Sequence, residues 1–247
     1  MKDFFTLYDL LLDGIDADTV VTSTFLGQCW TAVETAEHFG MAMTTPVDTA
    51  PRMLNGDHIG MPLGKLAPAA KSWNLTEAGF GMAAINAFYN TPARLEALGA
   101  YEPFDNYCTD GLDLWGKRIG VIGHLNMPRS VYDQAKEVLI LERNPRPGDY
   151  PDSACDWILP QCDVVIITAS TLVNKTLPHL LDLCKNAYTI LAGPSAPLCP
   201  GLLELGIDRV AGLVITDTEG MKDKIRREIS GPPYPMGKPF LLTRERL

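Results

Sequence analysis

The sequence predicts an α/β protein in which a small α+β unit is followed by a doubly wound parallel sheet. Two observations indicate this class. After about residue 112, the chain of 247 residues repeats a strand–turn–helix order, and each strand candidate is a short run rich in Val and Ile, as in buried parallel strands. Before about residue 100, strand candidates come first and helices follow, which is typical of an α+β unit.

The first half is expected to begin with a helix and to continue with three strands. Apolar residues recur at helical spacing in FFTLYDLLLDGI, and Gly14 is suited to end that helix. The stretch DTVVTSTFLGQCWTAVET predicts two strands that fold back at residues 26–28, and HFGMAMTT predicts a third. A loop rich in Gly, Pro and Met follows, and then a short helix near 67–72.

A longer helix is predicted from Thr76 and Glu77, in the stretch EAGFGMAAINAFYN. Its many small residues include glycines, each of which costs a helix about 1 kcal/mol relative to alanine. We therefore expect another backbone to approach this helix closely. Asn86 lies among apolar neighbours, and a buried asparagine needs hydrogen-bond partners. Two interpretations of Asn86 stay open: it braces a loop, or it contacts a ligand.

The second half contains five strand candidates separated by crossovers such as PRSVYDQAK and LVNKTLPHLLDLC. Such connections predict parallel neighbours in one sheet. The stretch EPFDNYCTDGLDLWG is interpreted as the linker between two domains, residues 1–103 and 104–247, and SGPPYPMGKP as a stiff, turn-rich tail. The strand candidates are 118–122, 137–141, 163–168, 187–191 and 210–215.

Composition excludes several classes of partner. The formal net charge is -9 and no basic block occurs, so we expect no nucleic-acid groove and no anionic membrane surface as partner. No stretch approaches the roughly 20 apolar residues of a membrane span, and the N-terminus lacks the pattern of a signal peptide, which favours a cytoplasmic location. The six cysteines form no C-x-x-C pair, so we interpret them as buried, reduced side chains rather than zinc ligands.

The carboxyl ends of the predicted strands are where chemistry is expected, because open parallel sheets bind ligands beyond these ends. Polar residues are concentrated there, whereas the strands themselves contain almost none. We therefore expect one hydrophilic pocket along this edge of the sheet. The candidates that follow the five strands in turn are His124; Glu142 and Arg143; Thr168, Ser170 and Asn174; Ser195; and Asp217.

The loop after the first of these strands departs from a dinucleotide fingerprint. Gly123 is followed directly by His124, and Pro128 lacks the amide that an anion site would use. His124 is a candidate for acid–base work or a metal bond, or it caps the neighbouring turn. Glu142 comes 19 positions after Gly123, where nucleotide enzymes bind a ribose hydroxyl; the alternative is an exposed pair with Arg143.

Other candidates carry weaker signals. The hydroxyls of TASTLVNKT suit an anion or a carbonyl oxygen, or simple capping of a helix. Ser195 has no G-x-S-x-G around it and is not expected to be a nucleophile. We expect no metal site, because the spacing of Glu34, Glu37 and His38 does not bring these side chains together.

Several stretches together resemble the "Putative heavy-metal chelation" family of prokaryotic proteins: RIGVIGHL, LERNPRPGDYPDSA, LPQCDVVIITASTLVNKT, LAGPSAPLCP and GIDRVAGLVITD, with GQCWTAVE and GFGMAAINAFYN in the first half. The resemblance implies an enolase N-terminal-like domain followed by a Rossmann-like domain, and a cleft between them. It also implies a role in making or handling a metal-chelating molecule that is pterin-, flavin- or siderophore-like. On matching positions it implies cleft residues His124, Glu142, Arg143, Thr168, Asn174 and Ser195, with Trp30 and Asn86 from the other domain.

Three hypotheses about function follow, each with a small molecule as the partner. The first is an enzyme that condenses or hydrolyses its substrate, with His124 as acid–base and Glu142 orienting His124 or the substrate. The second is a non-catalytic protein that binds a metal or a metallophore. The third is an S-adenosylmethionine or nucleotide site that uses Glu142. The residues do not identify a cofactor, and the apolar segment PVDTAPRML is a candidate contact in a homo-oligomer.

Overall fold

The computed structural model of the chain describes residues 5–16, 18–45, 50–104 and 108–244, and two sheets organise this part. One is a three-stranded antiparallel sheet from the first half, and the other is a seven-stranded, mainly parallel sheet from the second half. The α/β class that the sequence predicts is therefore confirmed. None of the described helices is both long and apolar enough to cross a membrane.

The first half contains the predicted helix and three strands, in the predicted order. Helix α1 is followed by the antiparallel strands β1, β2 and β3, and then by helices, of which α3 packs on this small sheet. The N-terminal residues of the predicted first helix, and residues 46–49 of the predicted loop, lie outside the described part of the chain. The elements are α1 (Thr6–Leu12), β1 (Val21–Leu26), β2 (Trp30–Thr35), β3 (Phe39–Met43), α2 (Leu63–Leu66), a 3₁₀ turn (Ala67–Lys71), α3 (Leu75–Tyr89) and α4 (Pro92–Ala97).

Small residues let other backbones approach helix α3, as its composition predicts. A Cβ atom added at Gly81 would lie 2.0 Å from the backbone nitrogen of Ala70 in the 3₁₀ turn. A Cβ atom added at Gly40 of β3 would lie 2.1 Å from the carbonyl oxygen of Ala83 in α3. Helix α3 thus packs closely between the 3₁₀ turn and the small sheet. Its polar residue Asn86 lies on the side that faces β3.

The large sheet runs in the order β10-β9-β8-β7-β4-β5-β6. The five predicted strands are confirmed as β4, β5, β7, β8 and β9, and each pairs in parallel with its neighbours in this group. Two edge strands were not predicted. The strands are β4 (Arg118–Ile122), β5 (Glu137–Glu142), β6 (Tyr150–Pro151), β7 (Val164–Thr168), β8 (Tyr188–Ala192), β9 (Arg209–Ile215) and β10 (Gly237–Thr243).

The prediction of a turn-rich tail is wrong from Gly237 onward, because β10 pairs there antiparallel to β9. The stretch carries Pro239, which cannot donate to a ladder and is tolerated in a sheet only on an edge strand. Among the described residues, β10 pairs with only one strand, β9, and has a single bridge from Leu241 to Tyr101, so Pro239 fits there. The helices between the strands are short: α5 (Arg129–Gln134), α6 (Cys155–Ile158), α7 (Ser170–Val173), α8 (Leu177–Leu183), α9 (Gly201–Glu204) and α10 (Thr218–Arg226).

The first half packs on one face of the large sheet. Val165, Ile167 and Leu191 point to this face, and they share one continuous apolar core with Tyr8 of α1 and Met82 of α3. The alternate strand residues form the core of the opposite face with the segments around α5. Strands β5 and β7 lie on either side of β4. The chain therefore runs from β4 to β5 on one side and later returns to β7 on the other side. This reversal creates a crevice at the carboxyl ends of β4 and β7.

Candidate functional site

A cleft of about 400 Å³ opens at this crevice, within the size range of small-molecule sites. The carboxyl ends of β4, β5 and β7 form its floor, and Met43 and Thr45 add a wall from the first half of the chain. Five of the residues that the sequence proposes for the site line it together: Glu142, Arg143, Thr168, Ser170 and Asn174.

Gly123 allows the carboxyl ends of β4, β5 and β7 to lie close together at the cleft. Its φ angle is +90°, which side chains other than glycine rarely tolerate. A Cβ atom at this position would lie 2.9 Å from Cγ2 of Thr168 and 3.9 Å from Oε2 of Glu142. The glycine therefore follows β4 and leaves room for the polar side chains of Thr168 and Glu142, the last residues of β7 and β5.

His124 is held by a carboxylate that the sequence analysis did not propose. Its Nε2 lies 2.6 Å from Oδ2 of Asp149, and the same oxygen accepts a hydrogen bond from the backbone N–H of Arg146 at 2.7 Å. The Arg146 N–H, followed by the hydrogen bond from His124, lowers the pKa of Asp149. An ionised Asp149 accepts, so Nε2 of His124 donates and the orientation of the ring is set.

Glu142, the last residue of β5, reaches the cleft from the other side of this histidine. Its Oε2 lies 3.6 Å from Nδ1 of His124, and its Oε1 accepts from the backbone N–H of Asn144 at 3.1 Å. His124 and Glu142 are thus neighbours in the structure. Asp149 makes the shorter contact with the ring, and His124 stands next to Glu142 but outside the residues that line the cleft.

Hydroxyl and amide groups form the opposite side of the cleft. Oγ1 of Thr168 and Oγ of Ser170 are 3.1 Å apart, and Oδ1 of Asn174 accepts from the hydroxyl of Thr176 at 2.7 Å. The alternative that Ser170 or Thr171 caps helix α7 is not observed, because Ala169 is the N-cap residue and no side chain caps the helix. These groups are therefore oriented by one another and by backbone N–H groups, since Oγ1 of Thr168 accepts from Ser170 at 3.5 Å and Oδ1 of Asn174 from Thr176 at 3.1 Å.

Charged pairs at the rim include residues that sequence reasoning missed. Nε of Arg143 lies 3.5 Å from Oδ2 of Asp152, rather than pairing with Glu142. Nε2 of His179 lies 3.2 Å from Oδ1 of Asp156, and both residues line the cleft. His179 and Asp156 lie on crossover helices, which a rule about strand ends does not cover.

Ser195 and Asn86 lie outside the cleft and brace one of its walls, which corrects the expectation that they line it. Oγ of Ser195 accepts from the backbone N–H of Met43 at 2.8 Å. Nδ2 of Asn86 donates to the carbonyl oxygens of Met41 and Ser195, at 2.7 and 3.0 Å. The contacts of Asn86 are those expected of a residue that braces a loop. The side chains of Asn86 and Ser195 connect β3 to the loop after β8. Met43, which they position, lines the cleft.

Trp30 and Asp217 are also placed away from the cleft. Trp30 is buried in an apolar cluster with Leu213 of β9 and Met221 of α10. Oδ1 of Asp217 accepts from the backbone N–H of Gly220 at 2.9 Å, as the N-cap of α10. Two strand spacings, about 10 Å in all, separate β9 from β7, so the end of β9 does not reach the crevice.

The metal-binding side chains of the described residues form no group of three or more that could hold an ion. Five cysteines are buried as expected, and Cys29 is exposed. Cys155 lines the cleft, and burial raises the pKa of its thiol to about 11. Glu34 pairs with Lys222 instead of approaching Glu37 and His38.

Comparisons with known proteins identify the family. Residues 112–233 match the DUF364 family and residues 8–89 match DUF4213, both described as "Putative heavy-metal chelation". A DUF364 protein of unknown function from Desulfitobacterium hafniense, known from a crystal structure, is 32% identical over 98% of both chains, with a TM-score of 0.86. A DUF364 protein from Pyrococcus horikoshii is 24% identical, covers 97% of this chain and 99% of its own, and shares the fold with a TM-score of 0.81.

An uncharacterized protein of Methanocaldococcus jannaschii is 31% identical over 157 residues. That match covers 61% of this chain and 59% of the archaeal protein, so the chain spans less than two thirds of that relative. The two family matches fall on the two halves of the molecule described above, and the Desulfitobacterium structure covers both halves together. The chain belongs to the DUF364 family, whose description is "Putative heavy-metal chelation".

Proposed function

We propose that the protein binds a compact polar small molecule in the cleft beyond β4 and β7, and that it makes or handles a metal-chelating compound there. The observation that carries the proposal is the convergence of hydroxyl, amide and carboxylate groups from the ends of two strands, β5 and β7, on one cleft of about 400 Å³. Such a set orients a ligand through hydrogen bonds to its carbonyl, hydroxyl and amino groups.

The loop after β4 supports an uncharged or amino-bearing ligand more than a nucleotide. Pro128 is the N-cap residue of α5, a helix of 6 residues, and a proline offers no N–H to a phosphate. Glu142 adds a carboxylate to the floor, which repels an anion and attracts a hydrogen-bond donor or a cation. The description of the family supports a metal-chelating molecule among the candidates of this kind.

Calorimetry tests the proposal with 6-hydroxymethylpterin, riboflavin, catechol (an uncharged siderophore-type chelating group) and S-adenosylmethionine as probes. We expect one of the first three to bind, and we expect Ser170→Phe to abolish that binding because the new ring fills the cleft. Mass analysis of each probe after incubation tests whether the protein also converts it, as the acid–base hypothesis for His124 requires.

Ser130→Phe is the matched control, because Ser130 is exposed on α5 and does not line the cleft. Far-ultraviolet circular dichroism checks that both variants fold. Binding that survives Ser170→Phe would move the site elsewhere, and heat with S-adenosylmethionine alone would favour the methyltransferase-like hypothesis.

A further inference from the structure

We propose that His124 and Glu142 hold a divalent metal ion between Nδ1 and Oε2, and that a chelating molecule in the cleft completes the coordination of this ion. The inference rests on the proposed function, because it names the ligand of the same cleft. That ligand is a metal complex rather than a metal-free organic molecule.

The first step concerns which nitrogen of His124 is available. Nε2 donates to Asp149 at 2.6 Å, so in the neutral ring Nδ1 carries the lone pair. Nδ1 faces Oε2 of Glu142 at 3.6 Å, which is longer than the roughly 2.7–3.2 Å of an N–H···O hydrogen bond. In the neutral ring, two electron-donating atoms thus face each other at a separation longer than a direct hydrogen bond.

The second step is that this separation fits a metal ion. Zinc bonds to imidazole nitrogen and carboxylate oxygen measure about 2.1 Å. Two such bonds span 3.6 Å when the angle at the metal is roughly 120°, close to a tetrahedral arrangement. The side chains of His124 and Glu142 are 24% and 20% exposed, so an ion can reach both.

The third step concerns the partners that hold the two ligands in place. A histidine that binds a metal usually donates its other N–H to a carboxylate, which fixes the tautomer and the ring. Asp149 occupies this position, with a side chain that is only 8% exposed. Oε1 of Glu142 is held by the backbone N–H of Asn144, so both ligands are oriented by second contacts.

The fourth step is that the protein supplies too few ligands by itself. No third His, Cys, Asp or Glu completes a metal-binding group within the described ranges. An ion with four or more coordination positions therefore keeps at least two for other donors. Glu142 lines the cleft, so a molecule bound in the cleft lies within reach of an ion held by Glu142. Imidazole and carboxylate ligands suit Zn²⁺, Ni²⁺ and Cu²⁺.

Calorimetry on protein without a histidine tag tests the inference with three probes: Zn²⁺ alone, picolinate alone, and the 1:1 complex of Zn²⁺ with this bidentate chelator. We expect the complex to bind about 10-fold or more tightly than either component. His124→Ala and Glu142→Gln should each weaken the complex by about 10-fold or more, and Asp149→Asn by about 10-fold through loss of the charge that orients the ring. A visible absorption band of Co²⁺ in place of Zn²⁺, lost in His124→Ala, provides a second readout.

His38→Ala and Glu37→Gln are matched controls, because these residues form another His–Glu pair, at 3.8 Å, away from the cleft. They should bind the complex as the wild type does. Equal binding of the complex by wild type, His124→Ala and Glu142→Gln would overturn the inference. If an organic probe still bound in a manner sensitive to Ser170→Phe, with no effect of metal, the proposed function would stand and the metal site would fall. Metal binding that depends on His124 but not on Ser170 would instead remove the cleft as the site of the chelator.

Discussion

Lys175 is buried directly behind the cleft, between Asn174 and Thr176, which both line it. Its φ angle is +69°, its Nζ donates to the carbonyl oxygen of Val173 at 2.9 Å, and Nζ lies 5.3 Å from the ring centre of Tyr8. Burial lowers the pKa of Lys175 to about 8. The ammonium group therefore lowers the stability of the fold at neutral pH, because the charge is removed from water.

We expect Lys175→Met to raise the free energy of unfolding near pH 7. A pKa lowered from 10.5 to about 8 corresponds to a cost on the order of 3 kcal/mol. Between these pH values Lys175 binds more protons in the unfolded wild type than in the folded one, so the contribution of Lys175 to stability rises with pH. The advantage of the variant should therefore be full below about pH 8 and should shrink toward about pH 10.5.

Urea unfolding of both proteins at about pH 7 and about pH 9.5 measures this change in advantage. Burial raises the pKa of the Cys184 thiol to about 12, and such buried thiols destabilise the folded state at high pH. This effect is the same in the wild type and in Lys175→Met, so it cancels when their free energies of unfolding are subtracted. An advantage of Lys175→Met that is equal at both pH values would contradict the assignment of the low pKa to Lys175.

At the scale of elements, the contacts of helix α3 show how small residues position the cleft. The 3₁₀ turn Ala67–Lys71 packs against α3 at Gly81, and β3 packs against it at Gly40. Strand β3 ends at Met43, which lines the cleft. The position of Met43 in the cleft wall thus depends on close backbone contacts at Gly40 and Gly81. A side chain larger than hydrogen at either position would prevent these contacts.

Gly81→Ala is expected to destabilise the protein by about 3 kcal/mol, although alanine favours a helix, because its Cβ would lie 2.0 Å from a backbone nitrogen. Gly79→Ala on the same helix is the control. Its Cβ would lie 3.3 Å from the hydroxyl of Thr31, so a change within about 1 kcal/mol is expected. Thermal unfolding compares the two, and equal midpoints would refute the close-contact argument.

Local signals predicted most of the strands, helices α1 and α3 and the short helical turn Ala67–Lys71, but they did not predict α10 or the bounds of the shortest helices. The buried strands were recognised because both faces of each are covered, which requires continuous Val and Ile runs. Helices α6, α7 and α9 have 4 residues each, too few to show a helical period. Strand β10 was missed because its proline is a poor strand signal except at an edge, and edge position is not visible in a sequence.

On the scale of the whole molecule, the two halves are joined by a common core. Tyr8 and Met82 from the first half and Val165 and Leu191 from the sheet belong to one apolar cluster. The hydroxyl of Tyr8 also donates to the carbonyl oxygen of Leu172 in α7, at 2.7 Å. Because α7 carries Ser170, the first half supports the cleft from behind as well as at its wall.

The predicted domain boundary at residues 103 and 104 leads to a specific expectation. A fragment of residues 104–247 would expose the face of the sheet that carries Val165, Ile167 and Leu191. We expect this fragment to bind the dye ANS strongly and to lack a sharp thermal transition, whereas the full chain unfolds in one cooperative step. A fragment with a sharp transition and little ANS binding would show that the second half folds independently.

The amino-acid sequence alone determined the α/β class, the five parallel strands and the positions of Glu142 and Thr168 at strand ends. Buried strands and turns require particular residue types at adjacent positions, so they can be recognised locally. Only the tertiary structure decided that β4 lies between β5 and β7. That order selects which strand ends share a cleft, brings Asp149 to His124, and leaves Ser195 and Asp217 outside. The physical reason is that strand order and loop contacts arise between residues far apart in the chain, whose pairing no local pattern records.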